Sequence, residues 1–123
     1  MAKILIADDD PSILESTSAL LELYGHDTTT VQEVGQIHDR IEEVGPDILL
    51  QDARMPGLDV DAFLEGLRSD DSRDLVVVVF TGDDEMRERL VQAGADAGLA
   101  KPFDPPELAA LIDRLLSERK KGA

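Results

Sequence analysis

Acidic side chains stand at the ends of two short apolar stretches of this sequence. Asp8 and Asp9 come directly after the first stretch, and Asp52 ends a later one. Thr81 ends a third stretch, and Lys101 follows the last. Carboxylates that crowd together repel one another unless a cation lies among them. If the stretches are neighbouring parallel strands, these side chains converge at one edge of a sheet and predict a divalent metal beside a reactive aspartate.

Such a set of residues suits phosphoryl transfer to an aspartate. Mg²⁺ prefers an octahedron of oxygen ligands and usually takes one or two carboxylates together with waters and a phosphate. Asp9 and Asp52 supply a carboxylate pair, Asp8 can hold a metal-bound water, and the carbonyl of Arg54 can add an oxygen. Mn²⁺ shares this preference for oxygen and can substitute. Asp52 would then be the nucleophile toward phosphorus.

The charge that develops during such a transfer needs cationic and hydrogen-bonding partners. Negative charge spreads over the equatorial oxygens of the phosphoryl group in the loose transition state. A lysine such as Lys101, placed ~4 Å away, contributes on the order of 4 kcal/mol at an effective dielectric constant of 20, before desolvation costs. The hydroxyl of Thr81 can donate to another of these oxygens.

Strand and helix patterns alternate along the whole chain. Short apolar or threonine-rich runs predict strands, and apolar residues spaced by three and four predict amphipathic helices. The predicted strands are residues 3–7, 27–31, 47–51, 75–80 and 96–100. The predicted helices are residues 11–24, 34–44, 60–68, 83–93 and 105–116.

Five strand–helix units in succession predict an α/β fold with a parallel sheet covered by helices on both faces. They suit a single doubly wound (βα)5 domain of the flavodoxin-like type, with a five-stranded sheet of order 2-1-3-4-5. Ligands of such sheets bind at the carboxyl ends of the strands, where the strand order reverses between strands 1 and 3. That position lies between Asp9 and Asp52, so the predicted fold brings the carboxylates together.

The composition restricts the partners that this chain can have. Its 123 residues predict one domain over 1–123, with a core of about 3–118 and a C-terminal tail at 119–123. The net charge of -15 disfavours direct contact with nucleic acid and with anionic membranes. The chain has no cysteine, no signal-peptide pattern and no apolar run of membrane-spanning length, so we expect a cytoplasmic protein without disulfides.

The chain resembles the response-regulator receiver domains of two-component signalling. The matching stretches are residues 4–11 (ILIADDDP), 46–52 (PDILLQD), 55–57 (MPG), 94–96 (GAD) and 101–103 (KPF), together with Thr81. A pair of adjacent aspartates alone would be a weak signal. The ordered set spans the whole chain at the spacing of the family, and the resemblance is therefore specific.

The resemblance implies a role for each residue of the predicted site. It implies that Asp52 accepts a phosphoryl group from a histidine kinase or a histidine phosphotransfer protein, and that Thr81 and Lys101 contact that group. The implied Mg²⁺ ligands are Asp8, Asp9, Asp52 and the Arg54 carbonyl. It also suggests a cis peptide bond between Lys101 and Pro102. Receivers are phosphoacceptors that assist their own phosphorylation and dephosphorylation, so we expect no enzyme acting on outside substrates.

The resemblance also implies protein partners. A phosphorylated receiver changes the conformation that a downstream protein target reads, and that target is unknown here. Receivers usually present their output or dimer surface on residues 87–98 and on the final helix. Arg87 and Arg89 lie in this region and are available to pair with acids of a partner, although a solvated helix face is the default. We expect a monomer or a phosphorylation-dependent dimer.

Gly98 departs from the family pattern, in which an aromatic residue usually stands three positions before the lysine. The ring of that residue normally changes position as the threonine moves toward the phosphate, so the switch position is altered in this chain. Arg54 and Asp83 occupy positions that border the route of water to the acyl phosphate in the family. We hypothesise that they form a salt bridge that slows hydrolysis. The alternative is two solvated charges that contribute almost nothing.

Three other functions stay open from the sequence. A metal-dependent phosphatase with an aspartate nucleophile typically carries a second aspartate two residues further on, where Arg54 stands here. A flavin or nucleotide carrier needs a glycine-rich or hydroxyl-rich phosphate loop after the first strand, where this chain has Asp8 and Asp9. A constitutive adaptor would keep the fold without the switch, and Gly98 leaves that alternative open.

Several polar and apolar residues have structural interpretations. Asp10 is expected to cap the first helix, because aspartate is favoured at that position. His26 and His38 are expected on the surface. Ile13 and Leu14 follow the acidic residues on the first helix, where an exposed apolar pair would suit docking of a helical donor protein. Packing into the core is an equally good interpretation for Ile13.

Overall fold

Five strands and five helices alternate along the part of the chain that the computed structural model describes, residues 2–69 and 74–121. The strands are β1 (Lys3–Ala7), β2 (Asp27–Val31), β3 (Ile48–Asp52), β4 (Val76–Thr81) and β5 (Ala97–Ala100). The helices are α1 (Pro11–Leu23), α2 (Val34–Val44), α3 (Val60–Arg68), α4 (Asp84–Gln92) and α5 (Pro105–Lys121). None of these helices has the length and apolar character needed to cross a membrane.

The strands form one parallel sheet of order β2-β1-β3-β4-β5. This confirms the predicted flavodoxin-like α/β fold. The threonine-rich strand β2 lies at one edge, which agrees with its half-buried side chains. The strand order reverses between β1 and β3, so the residues that follow these two strands meet at the same edge of the sheet.

The sheet is buried on both faces, and this explains the nearly continuous apolar sequences of its central strands. Successive residues of a strand point to opposite faces. One face carries Leu5, Leu49 and Val77 against buried residues of α2, α3 and α4. The other face carries Ile4, Leu50 and further buried apolar residues, which pack against residues of α1 and α5. The two layers hold the strand ends, and the polar residues on them, in fixed positions.

Strands β3 and β4 each end one residue later than the sequence predicts. Asp52 pairs with Phe80, and Thr81 pairs with Ala100, so both polar residues are the last members of their strands rather than the first residues of loops. Backbone pairing with the neighbouring parallel strands extends β3 and β4 to these residues. The sequence pattern misses this extension because the side chains of Asp52 and Thr81 are polar. Asp83 lies outside α4 and caps it, with its carboxylate accepting from the backbone of Met86 at 3.1 Å.

The last helix is longer than the sequence predicts. Helix α5 continues to Lys121 instead of ending at residue 116, and Arg119 belongs to it rather than to a tail. The Arg119 guanidinium donates to the backbone oxygen of Asp47 at 3.2 Å and to its carboxylate at 3.1 Å. It also lies 3.3 Å from the carboxylate of Asp74. These contacts explain why the helix persists beyond its last apolar residue.

His26 is buried, which corrects the prediction of a surface histidine. Only 9% of it is exposed, and its Nδ1 accepts a hydrogen bond from the backbone N–H of Ala2 at 3.2 Å. Burial is tolerated because this ring nitrogen has a partner. His38 is exposed on α2, as predicted.

The structure at the start of α1 agrees only in part with what the sequence predicts. Asp10 caps the helix as predicted, and its carboxylate accepts from the backbone N–H of Ser12 at 2.9 Å. Leu14, however, is buried in the core, so the exposed apolar pair with Ile13 does not exist. Ile13 is half-buried and packs against the same core layer.

Candidate functional site

The carboxyl ends of β1 and β3 bring three aspartates together, as the sequence predicts. Asp8, Asp9 and Asp52 each offer a carboxylate oxygen, and these oxygens lie within 4.8 Å of one another. Asp8 and Asp52 are buried, whereas Asp9 is exposed. Buried carboxylates this close together favour a cation that neutralises them, and oxygen ligands are those that Mg²⁺ prefers. The donor set therefore fits the predicted metal.

Lys101 supplies positive charge to the same cluster. Its Nζ lies 3.0 Å from Oδ2 of Asp8 and 3.4 Å from Oδ1 of Asp52. It also lies 4.9 Å from the centre of the Phe80 ring. The Lys101–Pro102 peptide bond is cis, as the resemblance implied. The lysine thus contacts two of the predicted metal ligands at once and can also contact a group bound to them.

The pKa values of the site follow from burial and from these contacts. Burial raises the pKa of Asp52, and the negative charge of Asp8 adds to the rise; the backbone N–H of Arg54 and the charge of Lys101 oppose it without cancelling it. Burial alone would lower the pKa of Lys101, but the hydrogen bond to Asp8 and the charge of Asp52 outweigh it, and the pKa is raised. Asp52 therefore retains a proton more readily than an ordinary aspartate, and a bound cation would favour its ionised form.

Thr81 stands at the end of β4, beside the strand that leads to the lysine. It is buried, and its Oγ1 accepts a hydrogen bond from the backbone N–H of Asp83 at 3.2 Å. Its backbone oxygen accepts from the backbone N–H of Lys101 at 3.1 Å. The hydroxyl is thus engaged with the start of the β4–α4 loop in this structure, and the backbone ties Thr81 to Lys101.

The loop between β3 and α3 is held close to the acidic cluster. Oδ1 of Asp52 accepts from the backbone N–H of Arg54 at 3.2 Å, and the N–H of Ala53 donates to the backbone oxygen of Phe80 at 3.1 Å. The guanidinium of Arg54 reaches the carboxylate of Asp83 at 2.9 Å. The salt bridge that the sequence suggested is therefore present, and it joins the loops that follow β3 and β4.

Gly98 lies on β5 against the side chain of Arg87. A Cβ atom at this position would clash with Cγ of Arg87 and lie 3.1 Å from its Cδ, so the arginine occupies the space that a side chain at residue 98 would take. Arg87 also lies 2.9 Å from the carboxylate of Asp84, and Arg89 bonds to Asp61 on α3. Both arginines have acidic partners within the chain.

Gln51 is a polar residue to which the sequence predictions assign no functional role of its own. It is fully buried, with 0% exposed, and directly precedes Asp52 in β3. Its Nε2 donates to the backbone oxygen of Asp52 at 3.0 Å and to Sδ of Met55 at 3.2 Å. The signal in the sequence was an amide side chain within an otherwise apolar strand that is expected to be buried. A buried amide needs hydrogen-bond partners, so its presence there indicates a specific role.

The family model of the response regulator receiver domain matches residues 4–113 of this chain. The chain therefore belongs to the family of response regulator receiver domains. It is a phosphoacceptor signalling domain of the two-component type, a class consistent with signalling rather than with enzymatic turnover. This membership favours the receiver interpretation over the phosphatase and over the flavin or nucleotide carrier.

Curated relatives and solved structures agree with this membership. The chain is 35% identical to the response regulator Rre1 of Synechocystis sp., over 98% of this chain and 54% of that protein. It is 32% identical to the phosphate regulon transcriptional regulatory protein PhoB of Escherichia coli, over 93% of this chain and 51% of that protein. The chain thus spans about half the length of these curated relatives. A CheY-like receiver domain of Methanospirillum hungatei superimposes with a TM-score of 0.89 at 30% identity, over 100% of this chain and 99% of that one.

Proposed function

We propose that Asp52 is the residue that accepts the phosphoryl group, from a phosphohistidine of a histidine kinase or a histidine phosphotransfer protein. An oxygen of Asp52 bonds to phosphorus while the bond from phosphorus to the imidazole nitrogen breaks, and that nitrogen keeps the electron pair. The observation that carries this assignment is the position of the Asp52 carboxylate, which lies within the acidic cluster and 3.4 Å from Nζ of Lys101.

The other residues of the cluster prepare Asp52 for this reaction. We propose that Mg²⁺, or Mn²⁺ in its place, is held by Asp8, Asp9, Asp52 and the backbone carbonyl of Arg54. When bound, the metal supplies positive charge that offsets the charge of the phosphoryl oxygens. With these ligands and Lys101, the chain would assist its own phosphorylation and dephosphorylation.

Lys101 and Thr81 contact the phosphoryl group in this proposal. The ammonium group of Lys101 is within salt-bridge distance of Asp52, so it is placed to pair with an oxygen on the new phosphoryl group. The hydroxyl of Thr81 would exchange its bond with the N–H of Asp83 for a bond to a phosphoryl oxygen. The rearranged β4–α4 loop would be the conformational change that a downstream partner reads.

The salt bridge between Arg54 and Asp83 belongs to the same proposal. It joins the loop after Asp52 to the loop after Thr81, and we propose that it restricts the approach of water to the phosphorylated aspartate and slows hydrolysis. Its side chains are largely exposed, 64% for Arg54 and 42% for Asp83, so its contribution to stability is small.

A phosphorylation assay tests the central assignment. The protein is incubated with a small acyl phosphate, with and without Mg²⁺, and its intact mass is measured. We expect a single phosphoryl adduct that needs the metal and is absent in Asp52→Asn. The exposed aspartate of α2, replaced in Asp39→Asn, is the control and should behave as the parent.

Three results would contradict the assignment. An adduct that persists in Asp52→Asn would place the acceptor elsewhere. Repeated turnover of unrelated phosphoesters would favour the phosphatase. A protein that forms no adduct under any condition would instead favour the constitutive adaptor.

The partners of the whole protein are part of the proposal. PhoB and the DNA-binding response regulator MtrA of Mycolicibacterium smegmatis are 32% identical to this chain, and about half of each lies outside the match. We propose that a protein target reads the phosphorylated form of this cytoplasmic domain without direct contact between this domain and nucleic acid. The net charge of -15 supports that view. The domain would be a monomer or a phosphorylation-dependent dimer.

A further inference from the structure

Gln51 is a buried amide in the apolar interior of the sheet. It lies in β3 opposite Ala7 of β1 and Val79 of β4, both of which are fully buried. Its side chain points to the same face as that of Leu49, toward the layer formed by α2, α3 and α4. An amide in such surroundings loses its contacts with water and needs replacements from the protein.

Among residues 2–69 and 74–121, only the nitrogen of the Gln51 amide has hydrogen-bond partners. Nε2 donates to the backbone oxygen of Asp52 and to Sδ of Met55. Oε1 is buried and has no hydrogen-bond partner among these residues. An unpaired buried carbonyl lowers stability, and an apolar side chain of similar size would avoid that loss. Folding stability alone therefore does not account for a glutamine at this position.

The two bonds of Gln51 enclose the segment that carries the site. Asp52 and Met55 stand on either side of Ala53 and Arg54, and the backbone N–H of Arg54 donates to the Asp52 carboxylate of the acidic cluster. One donor group thus fixes both ends of this segment. The N–H groups of Ala53 and Arg54 are fixed separately, to Phe80 and to the Asp52 carboxylate. Without the amide, the carbonyl of Asp52 and the side chain of Met55 would no longer share a donor.

We propose that Gln51 is a positioning residue for the phosphorylation site. Its amide holds the end of β3 and the start of the β3–α3 loop, the segment that carries the Asp52 carboxylate and the Arg54 carbonyl. This inference rests on the proposed function, in which both groups are metal ligands. Residues that orient metal ligands through hydrogen bonds typically change metal affinity or activity by about 10- to 100-fold when they are replaced.

The test compares Gln51→Leu with the core variant Val79→Ala. Metal affinity is measured with Mn²⁺ by electron paramagnetic resonance, and stability by thermal unfolding in a chelator. We expect Gln51→Leu to bind Mn²⁺ about 10-fold more weakly and to unfold at the temperature of the parent or above. Val79→Ala removes packing opposite Gln51 without removing a hydrogen bond, so it should lower the unfolding temperature and leave the affinity unchanged.

A second variant and the results below distinguish failure of the Gln51 inference from failure of the proposed metal site. Gln51→Met has a chain of similar length without a donor and should repeat the loss if Gln51→Leu does not fold. Equal Mn²⁺ affinity in the parent and in the folded variants would overturn the inference alone, because the acidic cluster would still bind metal. A parent protein that binds no Mn²⁺ would overturn the metal site of the proposed function and this inference with it. A loss of affinity in Val79→Ala equal to that in the Gln51 variants would also overturn it, since general destabilisation would then explain both.

Discussion

Arg54 and Asp83 belong to different loops, yet each is bonded to a different residue of the proposed phosphorylation site. The N–H of Arg54 donates to the Asp52 carboxylate, and the N–H of Asp83 donates to the Thr81 hydroxyl. Their side chains then meet at 2.9 Å. At the scale of single residues, this ion pair therefore connects the proposed acceptor, Asp52, to Thr81, the residue that the proposal expects to move on phosphorylation.

Removing the Arg54 guanidinium should shorten the lifetime of the phosphorylated protein. We expect Arg54→Ala to lose phosphate a few times faster, since one exposed ion pair contributes at most about 1 kcal/mol and tenfold in rate corresponds to about 1.4 kcal/mol. The measurement is the decay of the phosphoryl adduct by intact mass after the donor is removed.

Arg40→Ala is the matched control for this prediction. It removes another exposed pair, between Arg40 and Glu43 within α2, which contains no residue of the site. Its adduct should decay at the rate of the parent. An unchanged lifetime in Arg54→Ala would show that the bridge does not restrict hydrolysis.

At the scale of elements, the contact between α4 and β5 distinguishes this chain from the family pattern. The side chain of Arg87 lies across Gly98, in the space that a larger residue there would occupy. The backbone of Gly98 does not have the positive φ that favours glycine. The side chain of Arg87, rather than backbone geometry, is therefore what makes glycine suitable at residue 98.

A double-mutant cycle between Gly98 and Arg87 tests this explanation. Gly98→Ala should destabilise the parent by about 1 kcal/mol, because the new Cβ displaces the Arg87 stem. In an Arg87→Ala background only a contact with Cγ2 of Val91, at 3.3 Å, remains, so the same change should be close to neutral or stabilising by up to roughly 0.4–1 kcal/mol through the unfolded state. The free energies of unfolding are measured in urea.

The control for the cycle is Gly66→Ala on α3, where a Cβ would have no neighbour within 4 Å. Its effect should be the same with and without Arg87, because distant sites are usually additive within about 0.5 kcal/mol. Equal destabilisation by Gly98→Ala in both backgrounds would mean that Arg87 is not the constraint.

At the scale of the whole molecule, Asp47 connects distant parts of the chain at the edge of the sheet opposite the acidic cluster. Its carboxylate accepts from the backbone N–H of Lys3 at 2.9 Å and from the guanidinium of Arg119 at 3.1 Å. Burial alone would raise the pKa of Asp47, but these two donors outweigh it, and the pKa is lowered. The start of β1, the start of β3 and the end of α5 thus depend on one ionised side chain.

The stability that Asp47 contributes should depend on pH. Its pKa in the folded state is below the unfolded value of about 3.9. The contribution is therefore present above that pH and is lost as the pH falls through the lowered pKa. We expect Asp47→Asn to be less stable than the parent by roughly 1–2 kcal/mol at pH 7, since it keeps the shape but loses charge-assisted bonds. Urea unfolding at pH 7 and near pH 3 measures the difference, which should shrink at the lower pH.

Asp39→Asn, which changes an exposed aspartate of α2, is the control and should match the parent at both pH values. Equal stability of Asp47→Asn and the parent at both pH values would show that the charge of Asp47 contributes nothing. In that case Lys3 and Arg119 would be held equally well by a neutral amide.

The sequence alone determined the alternation of strands and helices, the strand order and the convergence of Asp8, Asp9, Asp52 and Lys101. These follow from local patterns, because apolar runs and helical spacing set the elements, and parallel strands bring their carboxyl ends to one edge. The cap at Asp10 followed in the same way from a residue preference at helix starts.

Only the tertiary structure decided which side chains are buried and which partners they meet. The burial of His26, the extension of α5 through Arg119, the position of Arg87 against Gly98 and the bonds of Gln51 are not visible in any local pattern. Arg119 and Asp47 are 72 residues apart. Such contacts exist only after the layers have packed, because packing brings together side chains that the sequence keeps far apart.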